Sequence, residues 1–82
     1  MLGIEYKKDF LKFISKIRNQ AVKEQVKKQV EKIIDNPEIG KPMRHARKGT
    51  REVYVTPYRL AYAYSKTEGT IIFLDIYHKD EQ

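Results

Sequence analysis

Thr50-Arg-Glu-Val-Tyr-Val-Thr-Pro-Tyr58-Arg-Leu-Ala-Tyr-Ala-Tyr-Ser65-Lys-Thr-Glu-Gly-Thr70-Ile-Ile-Phe-Leu-Asp-Ile-Tyr-His78 is the stretch that decides the fold of this 82-residue chain. Apolar and polar side chains alternate here with a period of two, and β-branched and aromatic residues are dense, the pattern of strands half-buried against a core. The spacing predicts strands over Thr50–Thr56, Tyr58–Ser65 and Thr70–His78, with Glu68-Gly69 closing a hairpin between the last two. A short strand over Met43–Ala46 would precede them, set off by a turn at Lys48-Gly49. Because the pleat sends successive residues to opposite faces, Val53, Val55, Leu60, Tyr62, Tyr64, Ile72, Leu74 and Ile76 are expected on the core side. Glu52, Tyr54, Arg59, Ala61, Ala63, Asp75, Tyr77 and Lys79 are expected on the other.

Upstream the period changes. Phe10, Phe13, Ile14 and Ile17 follow helical i, i+3, i+4, i+7 spacing, with Asp9 as the expected N-cap. After a polar break at Arg18-Asn-Gln20, a second apolar stripe runs through Val22, Val26, Val30, Ile33 and Ile34, with Glu24 and Lys28 spaced to pair on its exposed side. Asp35-Asn36-Pro37 stops it, since proline removes a backbone donor and disfavours helix in the residue before it. Two helices joined so tightly form an antiparallel hairpin. The alternation Leu2, Ile4, Tyr6 reads as an opening strand. The expected class is α+β, ordered β-α-α-β-β-β, an antiparallel sheet with the helical hairpin packed on one face.

Composition narrows what such a domain does. With 34% charged and 40% hydrophobic residues the chain supports one modest core, so residues 1–82 are read as a single domain. No apolar run approaches the ~18–20 residues of a membrane span, and no secretory signal pattern is present, so a cytoplasmic location without membrane association is expected. The absence of cysteine and the presence of only two histidines leave no basis for disulfides, thiol chemistry or a metal centre, and no cofactor is expected.

The net charge is +6, and most of the excess sits in one place. Residues 41–51 hold five Lys/Arg and no acid, whereas residues 52–82 hold three basic and five acidic side chains. Such a block either binds phosphates, with arginine adding forked geometry, or is a solvated loop. The small Ala61 and Ala63 flanked by Arg59 and phenols imply a shallow, cation-bearing hollow on the open sheet face, suited to an extended nucleic acid. The alternative is a cross-strand ion pair of Arg59 with Asp75 or Glu52.

The run Asn36-Pro-Glu-Ile-Gly40-Lys-Pro-Met-Arg-His45, the glycine at Gly49, the strand Tyr58-Arg-Leu-Ala-Tyr62 and the terminal Ile76-Tyr-His-Lys79 together resemble the RelE/ParE superfamily of bacterial and archaeal toxins over nearly the whole chain. The resemblance implies the toxin of a type II toxin–antitoxin system with a RelE-like fold. It also implies a cognate antitoxin as partner and, through the antitoxin complex, operator DNA. The favoured RelE/YoeB-like branch consists of mRNA interferases, ribosome-dependent endoribonucleases that cut messenger RNA without metal, so ribosome and mRNA are expected partners. The alternatives are a ParE-like DNA gyrase inhibitor and a noncatalytic antitoxin-binding member. In the nuclease branch the arginine of the Tyr-Arg-Leu strand binds the reacting phosphate, and Arg59 matches it. A histidine near the end of YoeB-like chains is the general acid, which His78 resembles, and Lys79 matches a RelE-like cation.

Metal-free RNA cleavage needs a base at the 2′-hydroxyl, a cation at the phosphate and an acid for the leaving 5′-oxygen. Arg59 is the expected phosphate clamp. His78 is the candidate acid, because imidazole changes charge near neutral pH, although alternation points it to the core side unless the strand end re-aims it. Lys79 is a second clamp or proton carrier, and Glu52 is the available base or else the partner of Arg59. Tyr54 and Tyr77 either stack on bases or are packing residues of the strands; Arg44, Arg47, Lys48 and Arg51 are expected along the RNA backbone, and His45 either touches phosphate or is an ordinary loop histidine.

Overall fold

A computed structural model describes residues 3–43 and 49–81. In chain order the elements are β1 (Gly3–Tyr6), α1 (Lys8–Lys16), α2 (Gln20–Asp35), β2 (Lys41–Pro42), β3 (Thr50–Val55), β4 (Tyr58–Ser65) and β5 (Thr70–His78), followed by a 3-10 turn over Lys79–Glu81. The strands form one sheet in the order β1-β5-β4-β3-β2. β2 to β5 are antiparallel neighbours, as the alternating pattern and short turns require. β1 lies parallel to β5, which makes the sheet mixed rather than wholly antiparallel. A parallel neighbour needs a long crossover, and the two helices between β1 and the rest of the sheet provide the chain length.

The helices form where the apolar stripes placed them. α1 buries Phe10 and α2 buries Val26 and Ile33 against Leu60, Tyr62, Ile71, Phe73 and Ile76 of the sheet. Asn19 caps α2, its side-chain oxygen accepting from the backbone N–H of Ala21 and Val22 at 2.9 and 3.2 Å. Asp9 is not the cap of α1. That position falls on Lys7, and Asp9 sits in the first turn, where its charge complements the helix dipole. Glu24 accepts from Gln20 one turn earlier, and no ion pair joins it to Lys28. Tyr6 of β1 stacks on Phe73 with ring centroids 5.3 Å apart, fastening the edge strand to the core.

One irregularity changes the expected facing. Ala61 pairs with Asp75 and Tyr62 pairs with Phe73, so Leu74 is an extra residue in β5. A bulge of this kind switches the parity of the strand. Downstream Ile76 is buried as expected, but upstream it is Ile71 and Phe73 that are buried, while Ile72 faces the open side opposite Ala63 and Leu74 is half-buried. The expected core placement of Ile72 and Leu74 is thereby corrected. The turns at Gly49 and Gly69 take positive φ, 92° and 63°, which favours glycine there. β3 and β4 are joined through a cis Thr56–Pro57 peptide.

The segment between α2 and β2 is held from within the sheet. The Tyr62 hydroxyl accepts from the Gly40 backbone N–H at 2.9 Å and donates to the Pro37 carbonyl at 2.8 Å. Arg51 donates from one guanidinium nitrogen to the carbonyls of Glu38 and Gly40 at 3.0 and 2.8 Å. A Cβ on Gly40 would lie 2.7 Å from Cε1 of Tyr62, so this approach requires glycine. The segment is therefore anchored immediately before the basic stretch.

Candidate functional site

The open face of the sheet is built by β3, β4 and β5. Registers of Tyr54 with Arg59 and of Arg59 with Tyr77 place these three side by side, with Glu52, Ala61 and Asp75 in the adjoining row. Glu52 is diagonal to Arg59, a separation that long side chains bridge. The Arg59 guanidinium lies 3.7 Å from a Glu52 carboxylate oxygen and 5.1 Å from the centroid of the Tyr54 ring. The Tyr77 hydroxyl donates to the other Glu52 oxygen at 3.2 Å, reaching across β4 above Ala61. Ala61 is only 6% exposed although it faces away from the helices, so the hollow expected at this point is covered. The result is a connected Tyr54–Arg59–Glu52–Tyr77 cluster.

This cluster has one cation and one carboxylate in contact at a partly open surface, the side chains of Arg59 and Glu52 being 25% and 11% exposed. At 3.7 Å the ion pair is longer than a hydrogen bond, so the N–H donors of Arg59 are not consumed by Glu52 and the fork can take an anion. The expected cross-strand pairing of Arg59 is present, with Glu52 as the partner. Tyr54 is exposed, which leaves its other ring face accessible to a stacking partner.

Other sequence candidates lie elsewhere. His78 pairs with Tyr58 on the helix-facing side of the sheet, and its ring meets Tyr58 edge-on at 5.7 Å, with Phe13 beyond at 5.1 Å from Tyr58. The Asp80 backbone N–H donates to its Nδ1 at 3.2 Å. The strand end does not re-aim the imidazole, and the structure does not bring it together with Arg59. Lys79 opens the 3-10 turn, its backbone N–H donating to the Pro57 carbonyl at 3.2 Å, so the alternation that placed it beside Arg59 ends one residue earlier. Arg51 is on the helix-facing side, opposite Tyr62, and its guanidinium is engaged by two carbonyls rather than turned to the open face. Arg44, His45, Arg47 and Lys48 lie outside the described residues, as does most of the expected Met43–Ala46 strand. The short β2, upstream of that segment, pairs Lys41 with Glu52. Lys41 was given no role from sequence, because a two-residue strand that itself includes a proline leaves no periodic signal.

Among the described residues no cluster of His, Asp and Glu has the makings of a metal site, and no helix is long and apolar enough to cross a membrane. A cleft of ≈ 750 Å³ lies between the α1–α2 junction and the β4–β5 end of the sheet, floored by Phe13, Tyr58 and Ile76 and rimmed by Lys12, Lys16 and Arg18. Arg59 and Glu52 are not part of it.

With this geometry in place, comparison with protein families is decisive. The family described as the ParE toxin of the type II toxin–antitoxin system, parDE, matches residues 4–82. The chain belongs to the ParE toxin family. Its fold is that of the wider RelE/ParE superfamily. The toxin of the intact Escherichia coli RelBE toxin–antitoxin complex superposes with a TM-score of 0.79 at 19% identity, covering 100% of both chains. The YoeB/ParE toxin from Agrobacterium tumefaciens gives 0.80 at 10% identity, with 94% of this chain and 98% of that one covered. YafQ from Escherichia coli strain BL21(DE3) gives 0.75 at 20% identity over 98% and 96%. Comparison with curated protein sequences gave no match. This ParE-family toxin therefore has two helices on a five-stranded mixed sheet, an arrangement shared at identities that carry the fold alone.

Proposed function

We propose that this toxin is an endoribonuclease that cleaves messenger RNA on the ribosome and uses the open sheet face as its active surface. The observation that carries the reading is the contact between Arg59 and Glu52, a phosphate-binding cation adjacent to a carboxylate base and within reach of solvent. RNA cleavage by attack of the 2′-oxygen on the adjacent phosphorus needs a base and a cation at the phosphate, and this pair supplies both. Glu52 takes the 2′-hydroxyl proton, and the 2′-oxygen bonds to phosphorus. Arg59 stabilises the charge that accumulates on the non-bridging oxygens, and the bond to the 5′-oxygen breaks. The Lys79 ammonium, just beyond the end of β5, gives the leaving 5′-oxygen its proton, so that a 2′,3′-cyclic phosphate and a free 5′-hydroxyl result. Tyr54 and Tyr77 hold the flanking bases by stacking. His78 is left out of the chemistry, because it faces the helices. The cognate antitoxin is the partner that keeps this surface silent, and its complex with the toxin is the form that meets operator DNA.

A second reading, inhibition of DNA gyrase without cleavage, is favoured by a specific feature: in the free protein Arg59 is already balanced by Glu52, and the imidazole is turned away from it. One experiment separates the two. The toxin is expressed without antitoxin in cells, and messages are mapped for new 5′ ends while chromosomal breaks are scored in parallel. Cuts within translated messages that fall ~100- to 1,000-fold in Arg59→Ala, the range typical for removing one charge-stabilising donor, support the nuclease. Glu52→Gln should remove them as well. Intact messages with double-strand breaks would establish the gyrase reading instead.

A further inference from the structure

Pairing of β2 with β3 sets Lys41 directly opposite Glu52. Directly opposed residues of an antiparallel pair project to the same face, with Cβ atoms roughly 4.5–5.5 Å apart. Glu52 points to the open face, where Arg59 and Tyr77 meet it, so Lys41 stands on that face too. It is exposed, and among the described residues no ion pair ties its ammonium to a carboxylate. The carboxylate it faces is held instead by the diagonal arginine.

A phosphate arriving at Arg59 competes with Glu52 for a single guanidinium. If Arg59 were the only cation, two anions would share it while one of them, 11% exposed, is too sheltered for water to screen fully. We propose that Lys41 is the standby counter-cation of Glu52. When Arg59 turns to an RNA phosphate, the Lys41 ammonium moves onto the Glu52 carboxylate, so that the phosphate and Glu52 each keep a cation of their own. Lysine suits the part, because its ammonium is a compact charge with three rotatable donors on a flexible stem, able to wait in solvent and then swing in. The inference rests on the open-face RNA reading above and deepens it. Lys41 acts through Glu52 and is a positioning residue, not a catalytic one.

The test uses the full chain and a short single-stranded RNA with 2′-O-methyl riboses, which binds but cannot be cut. Lys41→Gln should weaken binding about tenfold, on the scale of one close charge pair at a partly screened surface. Lys41→Arg should restore most of the affinity. The diagnostic variant is Lys41→Gln with Glu52→Gln, which should return affinity close to wild type because the anion needing a second cation is gone. A loss that Glu52→Gln does not relieve, or no loss at all, overturns the proposal. A second readout needs no RNA. In free Arg59→Ala protein the Lys41 ammonium signal in nitrogen-15 spectra should shift and its proton exchange should slow, and both changes should vanish when Glu52→Gln is added. A Lys41 signal indifferent to Arg59→Ala also overturns it. Failure of the underlying RNA reading looks different: Arg59→Ala would bind the RNA as wild type does, while the ammonium response still reports the exchange of partners.

Discussion

Tyr62→Phe removes a single hydroxyl from the middle of the sheet and leaves the packing carbons in place, which isolates the anchor between sheet and loop. Tyr62 is fully buried, and its hydroxyl serves two backbone groups, the Gly40 N–H and the Pro37 carbonyl. Gly40 is buried, so its N–H loses its partner with no water to replace it, at a cost of about 2 kcal/mol. Pro37 is half-buried and its carbonyl is partly re-solvated, adding about 1 kcal/mol. The sum, ~3 kcal/mol, is a large share of the ~5–15 kcal/mol that holds a small domain together, and lowers Tm by roughly 12–24 °C. Urea unfolding followed by circular dichroism measures it directly. A loss below about 0.5 kcal/mol would refute the claim that the loop is anchored through this hydroxyl. The same pair of proteins gives a pH signature. Burial pushes the Tyr62 phenol above its ordinary value of 10.0, against smaller opposing effects of the Gly40 hydrogen bond and the Arg51 charge. A group whose folded pKa is raised contributes stability that is whole below the unfolded value and is lost as pH rises through the folded one. The wild-type advantage over Tyr62→Phe should thus be level up to pH 10.0 and decline above it.

Three further outcomes follow from the packing. Asn19→Ala removes the cap of α2 and should cost about 1 kcal/mol in urea unfolding, with Asn19→Asp close to neutral. His78→Ala should leave RNA cleavage within about threefold of wild type while costing roughly 0.5–1.5 kcal/mol of stability through the lost edge contact with Tyr58. A loss of cleavage comparable to that of Arg59→Ala would return the imidazole to the chemistry. Deleting Leu74 removes the bulge and joins Phe73 directly to Asp75, so that Ile71, Phe73 and Ile76 follow one regular alternation on the core face with every observed pairing kept, and the variant should still unfold cooperatively with heat. Loss of the sharp transition would show that the core depends on the bulge itself and not only on the pairings to either side of it.

Much of the fold was legible because it depends on periodicity. The stripe Val22, Val26, Val30 and Ile33 had one stable solution, and so had the alternation Val53, Val55 and Leu60, Tyr62. The face of Arg59 followed from that alternation as well, which is why the expected company of Glu52, Tyr54 and Tyr77 was found around it. Where period alone was used past an irregularity it failed. Leu74 looks like any other apolar strand residue, and nothing local announces that it is unpaired. Lys79 was carried one residue beyond the last strand position by the same extrapolation. Arg51 was read as a phosphate ligand because a charge block shows valence but not which partner is nearer, and two backbone carbonyls lie against it.

The sequence by itself determined the two helices and the three long strands, their order, the apolar face of each except β5 and the side of the sheet on which Arg59 stands, because these are set by local sterics and by the period of side chains along a helix or strand. Only the tertiary structure decided that β1 runs parallel beside β5, that Tyr62 reaches from the core to the Gly40 loop, that Lys41 stands across from Glu52, and that the strand end leaves His78 on the helix-facing side. Those relations depend on register between strands distant in sequence, and register is fixed by the joint packing of both partners, which neither strand encodes alone.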